Sequence, residues 1–389
     1  MEKRSAKGGA DVTKKKTVLF ILMAILLCFV LSSCGRVTSV RQSIKKEASA
    51  HKSDKKTEEQ AEQAGIAVNH GNELTIGFSQ VGEESDWRLA ANKSVTNAFS
   101  TKYGYNLIYD NAQQKQENQI KAVREFIDQN VDYIIIDPIT EYGWDNTLEE
   151  AQEAGIPVII VDRNVSVSDR SLYTAWIGSD FRMEGDRACA WLKTFLDEKN
   201  IKGRVNIAHI QGTYDSSAQL GRTAALEEAC RKNSNWKIIS SKSGEFTQAK
   251  GKEVMEQMLR TYGDSINVVY CENDNEAFGA IEAIEAAGKT AGKNIRGGEI
   301  MVISFDATRS GLLKTLDGKI ALNVECNPDY GPKLTQIVMD LNNGKVVPHD
   351  QYIEETMFSA HKSITEVRIE SLTQSVTLLT EELIDGRMY

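Results

Sequence analysis

The 389-residue chain is 41% hydrophobic and 26% charged, with 28 glycines and 5 prolines: enough apolar material for two packed domains, and not the composition of a fibrous or broadly disordered chain. Its formal net charge is −9; without residues 1–33 it carries 40 basic against 53 acidic side chains, or −13. That sign argues against nucleic-acid binding, which needs a basic surface for phosphates.

In chain order, Lys14, Lys15 and Lys16 precede an uncharged apolar run from Val18 to Val30, followed by Leu31-Ser32-Ser33-Cys34. A basic region, a short apolar core and small residues before a cleavage point describe an export signal over 1–33. The run is shorter than the roughly 20 residues that a transmembrane helix needs. Leu-Ser-Ser-Cys resembles the lipobox of bacterial lipoproteins, which implies acylation of Cys34 and an extracytoplasmic protein anchored to a membrane by that lipid. Residues 34–72 have no aromatic side chain and are rich in Lys, Glu, Gln, Ser and Ala. They read as the acylated cysteine and a flexible tether, with 43–63 transiently helical.

From Leu74 short apolar segments and amphipathic ones alternate. Strands are expected over 74–78, 105–109, 131–136 and 156–161, and helices over 87–103, 116–129 and 147–154. In the helix at 116–129, Ile120, Val123, Phe126 and Ile127 form the apolar face. A second series follows, with helices at 182–198, 217–232, 248–260 and 276–287 and strands at 204–210, 236–241, 267–271 and 300–305. A helix at 330–341 and a strand at 352–357 close the pattern. Such alternation means α/β architecture with parallel, doubly wound sheets, and two series mean two lobes.

Open α/β sheets bind ligands beyond the carboxyl ends of their strands. The residues there are polar: Ser79-Gln80, Asp137 and Asp162-Arg163 in the first series, then Gln211-Gly212-Thr213, Glu245-Phe246, Asn273-Asp274 and Asp306 in the second. They read as the two walls of one cleft.

Val161-Asp-Arg163, Gln211-Gly-Thr213, Asn273-Asp274 with Gly279-Ala-Ile281, and Ser304-Phe-Asp306 resemble the ribose-binding-like (type I) class of periplasmic sugar-binding proteins of ABC importers. Phe78-Ser-Gln-Val-Gly82, Ser85-Asp-Trp-Arg88, the stretch from Gln113 to Val123 and that from Ser243 to Glu256 look most like the galactofuranose-binding branch. Ala307, where glycine is usual, Thr223-Ala-Ala-Leu, and the long tail beyond Ile364 depart from it. The resemblance implies a three-segment hinge, with crossings near 175–178, 325–327 and 352–359. Lobe one is then 73–175 with 326–352, and lobe two 176–325 with 353–389. It also implies a non-enzymatic, monomeric protein that hands a monosaccharide, galactofuranose-like hexose or pentose, to an ABC permease and ATPase. The alternative is a ligand-sensing partner of a chemotaxis or sensor-kinase receptor.

A sugar offers apolar C–H faces ringed by hydroxyls, so its site needs an aromatic plate and planar polar groups. Trp87 is the expected plate. Arg88, Arg163 and Arg222 carry forks of donors; Asp162, Asp306 and Glu325 accept, and Asn273 does both. Glu84, Asp137 and Phe246 are further candidates. Arginine partners are expected to keep the carboxylates ionised, which suits binding over acid catalysis. The glutamines at 113–119 are expected to start a helix and orient neighbours. Cys189, Cys230, Cys271 and Cys326 show no metal-ligand spacing, and whether any pair remains open. No cofactor, metal or nucleic acid is expected.

Overall fold

The computed structural model describes residues 55–387 and 389. The expected leader and Cys34 lie outside the described residues. A first unit ends at Gln63, and within it residues 55–63 are helical, in keeping with their Lys, Glu, Gln and Ala. The second unit runs from Ala64 to Tyr389. The tether does not reach residue 72, because Asn69 is buried and pinned. Its N–H donates to Tyr103 O at 2.9 Å, and its amide to Asn72 O at 2.7 Å and Gly104 O at 3.0 Å.

The first series runs β1 (Leu74–Gln80), α1 (Asp86–Ala98), β2 (Tyr105–Asn111), α2 (Gln116–Asp128), β3 (Tyr133–Ile136), α3 (Asp145–Glu153), β4 (Val158–Val161) and β5 (Ala175–Gly178). The second runs α4 (Phe181–Glu198), β6 (Val205–Gln211), α5 (Ser217–Lys232), β7 (Trp236–Ser243), α6 (Gln248–Tyr262), β8 (Val268–Cys271), α7 (Asp274–Ala286), β9 (Met301–Asp306), α8 (Arg309–Leu316) and β10 (Leu322–Glu325). Then come α9 (Gly331–Asn342), β11 (Asp350–Tyr352), β12 (Met357–Ser359), the hairpin β13 (Glu366–Ile369) and β14 (Leu372–Ser375), β15 (Thr377–Leu378) and α10 (Glu381–Asp385).

One sheet has the order β11-β5-β4-β3-β1-β2 and the other β15-β12-β10-β9-β8-β6-β7. The order β2-β1-β3-β4-β5 thus recurs as β7-β6-β8-β9-β10, and every pair among those strands is parallel. Each lobe therefore has a switch point, beside β1/β3 and β6/β8, where the chain opens a crevice at the strand ends. Separate apolar clusters fill the lobes, one around Ile134, Trp144 and Ile160, others around Trp191, Met301 and Val324 and around Met255, Val269 and Ile284. Among the described residues no helix is long and apolar enough to cross a membrane.

Several expectations shift. Ala175–Gly178 is no crossing: it is a buried strand paired with β4, and the chain leaves the first sheet after Gly178. Leu322–Glu325 is the last parallel strand of the second sheet, and the second crossing, expected near 325–327, starts after Glu325. From there α9 packs against α1 of the first lobe, and after β11 the chain returns to the second sheet through β12. In α2 the buried face is Gln119, Ala122, Val123 and Phe126, rotated from the expected stripe; Ile120 and Ile127 are only half-buried. The cause is Gln119, whose side chain donates to Asp137 O at 2.6 Å and accepts from Ile139 N at 2.9 Å, satisfying the loop after β3.

Candidate functional site

The loops after strands are built by helix capping. Ser85 Oγ accepts from Arg88 N at 3.1 Å, Ser216 Oγ from Gln219 N at 3.3 Å, and Asn273 Oδ1 from Glu276 N at 2.8 Å. Each cap satisfies an orphan helix-start N–H and turns the first helical turn toward the strand ends. Asp162, Phe246 and Asp306 have φ of 61°, 60° and 95°, a left-handed backbone that costs non-glycine residues about 1–3 kcal/mol each. Ala307, at φ 53°, takes the strain that glycine would avoid, and its N–H donates to Asn323 Oδ1 at 2.9 Å. Strain is thus concentrated where the two sheets present their ends.

A small cavity lies there, between the strand ends of the two sheets. Of the expected residues, Glu84, Trp87, Arg88, Asp162, Arg163, Arg222, Phe246, Asn273 and Asp306 line it. The first five come from the first lobe and the rest from the second.

On the first-lobe wall Arg88 is a hub. Its Nε donates to Glu84 Oε1 at 3.1 Å, and its Nη1 to Gln80 Oε1 and Asp162 Oδ2 at 3.2 Å each and closely to Asp137 Oδ2. Burial lowers the Arg88 pKa, but Asp137, Glu84 and Asp162 more than offset this and raise it. Arg163 donates through Nη1 to Ile139 O at 3.1 Å, while its buried Nε has no partner among the described residues. Burial, then Arg88, draw the Arg163 pKa below its ordinary value, against Asp137 and Asp162. Glu84 Oε2 is also buried without a partner among the described residues.

On the second-lobe wall Arg222 Nε donates to Glu184 Oε2 at 2.7 Å and Nη1 closely to Glu272 O, with Nη2 3.7 Å from Asp306 Oδ1. Its guanidinium stacks on Phe305 and Phe181 at 4.8 and 5.4 Å. Asn273 Nδ2 donates to Phe246 O at 3.0 Å and its Oδ1 accepts the cap N–H, which leaves one amide hydrogen and one oxygen lone pair for a ligand.

The walls meet. Asp86 N–H donates to Asn275 Oδ1 at 3.0 Å, Glu141 N–H to Asp215 O at 2.9 Å, and Asn164 N–H to Ser217 Oγ at 2.9 Å, each from the first lobe to the second. The lobes are therefore closed over the cavity.

Corrections follow. Trp87 is 4% exposed; Arg88 covers its ring at 4.7 Å, and its indole Nε1 donates to Cys326 O at 2.7 Å. It is a cavity wall whose ring is fixed to the second crossing. Asp137 lies behind Arg88, which it holds in place. Glu325 does not line the cavity, because Arg387 Nη2 at 2.7 Å and the Tyr389 hydroxyl at 2.8 Å engage its Oε1 and Thr356 N–H donates to Oε2 at 3.0 Å. Burial pushes the Asp137 and Asp306 pKa values upward, against Arg88 and Arg222 respectively. Ser85, Phe181, Ala218 and Cys326 also line the cavity and were not anticipated. The Ser85, Asp180 and Ser216 caps would have pointed to the first three, since each lies at a helix start. All four cysteines from Cys189 onward are free.

A family model for a periplasmic binding protein domain matches residues 76–345. The chain is 42% identical over 263 residues to the galactofuranose-binding protein YtfQ of Escherichia coli (strain K12), covering 67% of this chain and 79% of that protein. A solved structure from Mycobacterium smegmatis in complex with β-D-fucofuranose is similar with TM-score 0.69 and 40% identity, covering 74% of this chain and 91% of that one. The periplasmic binding protein of the arabinose ABC transporter from Shewanella sp. ANA-3, bound to α- and β-L-arabinofuranose, is similar with TM-score 0.67 and 40% identity over 73% of this chain and 91% of that one.

Proposed function

The chain belongs to the periplasmic binding protein domain family, and from that premise we propose that it is a lipid-anchored, extracytoplasmic protein that captures one furanose-form monosaccharide and delivers it to an ABC importer. One observation carries the reading: a small cavity is walled by three arginines and two aspartates from both lobes, and the buried Arg163 Nε and Glu84 Oε2 in its wall have no protein partner. An unmet buried polar group costs about 1–3 kcal/mol. A hydroxyl-rich ligand of one ring supplies an acceptor for the first and a donor for the second. Trp87, Phe181 and Phe246 offer apolar walls for its C–H faces.

The sugar class rests on the relatives: the E. coli protein is named for galactofuranose, and the two similar structures hold β-D-fucofuranose and L-arabinofuranose. These relatives are binding proteins, and this chain is a binding protein rather than an enzyme. Calorimetric titration with L-arabinose, D-galactose, D-fucose, D-fructose and D-ribose tests the reading. Saturable one-to-one binding of at least one supports it, and no binding to any of them overturns it. The anchor is supported by Leu31-Ser-Ser-Cys34. Mass spectrometry of the mature N-terminus decides it, since an unmodified Cys34 removes the lipoprotein assignment.

A further inference from the structure

The three chain crossings between the lobes meet at one carboxyl group that the sequence did not single out. Glu355 lies in the third crossing, between β11 and β12. Its Oε1 accepts from Ser179 Oγ, in the first crossing, at 2.5 Å and from the N–H of Asn327, in the second, at 2.9 Å. Ser179 Oγ also lies 3.4 Å from Cys326 Sγ. No single backbone bond links all three crossings in this way; Glu355 does so with one side chain.

This knot connects to both cavity walls. Cys326 lines the cavity and takes the Trp87 indole N–H. Glu184, in the first turn of α4, holds Arg222 through Oε2, while its buried Oε1 has no partner among the described residues. Glu184, Cys326 and Glu355 each place a ligand-type atom within 4.8 Å of the other two. Two carboxylates, Glu184 buried and Glu355 half-buried, therefore sit together, and Arg222 pairs directly with only one. Charges so placed are relieved by taking up a proton.

Resting on the function proposed above, we propose that Glu355 is a positioning residue for ligand capture, whose carboxyl group, bonded to Ser179 and to Asn327, holds the three crossings in the arrangement that closes the cavity. The groups facing Glu355 are Glu184, Glu325, Cys326 and the donors Ser179 and Asn327, with Tyr330 alongside; Glu184 in turn faces Arg222, Arg187 and Asp162. Burial, then Glu184, push the Glu355 pKa well above its ordinary range against the two hydrogen bonds, and burial raises Glu184 against Arg222. A carboxyl raised in the closed, folded protein binds its proton there and not in the unfolded chain. Its contribution is present below the raised pKa and fades as pH climbs through the window above the unfolded value.

The test compares wild type, Glu355→Gln and Glu355→Ala from pH 5.5 to 8.5 by sugar titration and by thermal unfolding without sugar. Glutamine copies the neutral carboxyl group. E355Q should keep wild-type affinity within about threefold at pH 5.5 and show a shallower fall in affinity and melting temperature as pH rises; linkage allows up to tenfold per pH unit for one proton. Asp137 and Asp306 add their own slope, which both proteins share. E355A should lose about tenfold or more at pH 5.5, with the shortfall from wild type narrowing as pH rises, and dialysis against EDTA should change nothing. The inference is overturned if at pH 5.5 E355Q is as impaired as E355A or E355A binds like wild type, or if EDTA abolishes binding, which would mean a divalent cation in place of the proton. Should wild type bind no sugar, the proposed function fails, while the sugar-free melting profiles of wild type and E355Q still decide the role of Glu355.

Discussion

The Arg163 guanidinium lies 5.2 Å from the centre of the Phe246 ring, so a cation at the end of β4 rests on an aromatic side chain that follows β7 in the opposite lobe. The contact joins the walls without consuming Nε, which stays available for a ligand oxygen.

Lysine in place of Arg163 keeps the charge but lacks both the planar face and the fork. Arg163→Lys is expected to weaken sugar binding by about 10–100-fold, equivalent to the roughly 1.5–3 kcal/mol of a hydrogen bond to a charged group. Melting should be little changed. Titration at matched pH checks this, and wild-type affinity would falsify the assignment.

Gly212 makes room for the same stack. A Cβ there would sit 1.9 Å from Phe246 Cζ, so Gly212→Ala must turn the ring away from Arg163. Overpacking of this kind costs about 1–3 kcal/mol. Affinity should fall several-fold or more while the protein still folds, measured by titration beside circular dichroism. An unaltered affinity would show that the ring has no part in the site.

The rim bonds from Asp86 to Asn275 and from Asn164 to Ser217 exist only while the lobes are closed. Removing an acceptor with Asn275→Ala or Ser217→Ala should cost the closed form about 0.5–1.5 kcal/mol. That corresponds to release roughly 2–10 times faster with the association rate nearly unchanged. Stopped-flow fluorescence separates the two rates; a slowed association with unchanged release contradicts a closed-state latch.

Glu325 is held by Arg387 and Tyr389 at the end of the long C-terminal tail. The double variant Arg387→Ala with Tyr389→Phe strips both donors from a buried carboxylate. A loss of about 1–3 kcal/mol is expected, seen as a melting point several degrees lower. If melting is unaffected and affinity falls instead, Glu325 belongs to the ligand after all.

Period and composition made the alternation of strands and helices legible, and the strand-end rule pointed to five of the lining residues, Asp162, Arg163, Phe246, Asn273 and Asp306, while Glu84, Trp87, Arg88 and Arg222 came from the chemistry that a sugar site needs and from the resemblance. What escaped depends on partners distant in sequence. Gln119 rotates the buried face of α2 because the loop at Asp137 and Ile139 needs its amide. Ala175–Gly178 reads equally well as a linker until β4 and β11 flank it. Glu325 has the chemistry of a sugar ligand, and only the tail, 62 or more residues later, reveals its occupant. Glu355 gave no signal at all, since its meaning lies in Ser179 and Asn327.

The central claim is that sugar is held between the lobes by the closed form, and only differential affinity for that form can drive closure. Small-angle X-ray scattering of residues 64–389, alone and with millimolar L-arabinose, D-galactose or D-fucose, tests it most directly. The account predicts that a sugar shown to bind by calorimetry reduces the radius of gyration, and that the scattering of the bound protein matches the closed arrangement joined at Asn164–Ser217 and Asp86–Asn275. An unchanged radius of gyration and profile at saturating, calorimetrically verified sugar would contradict it.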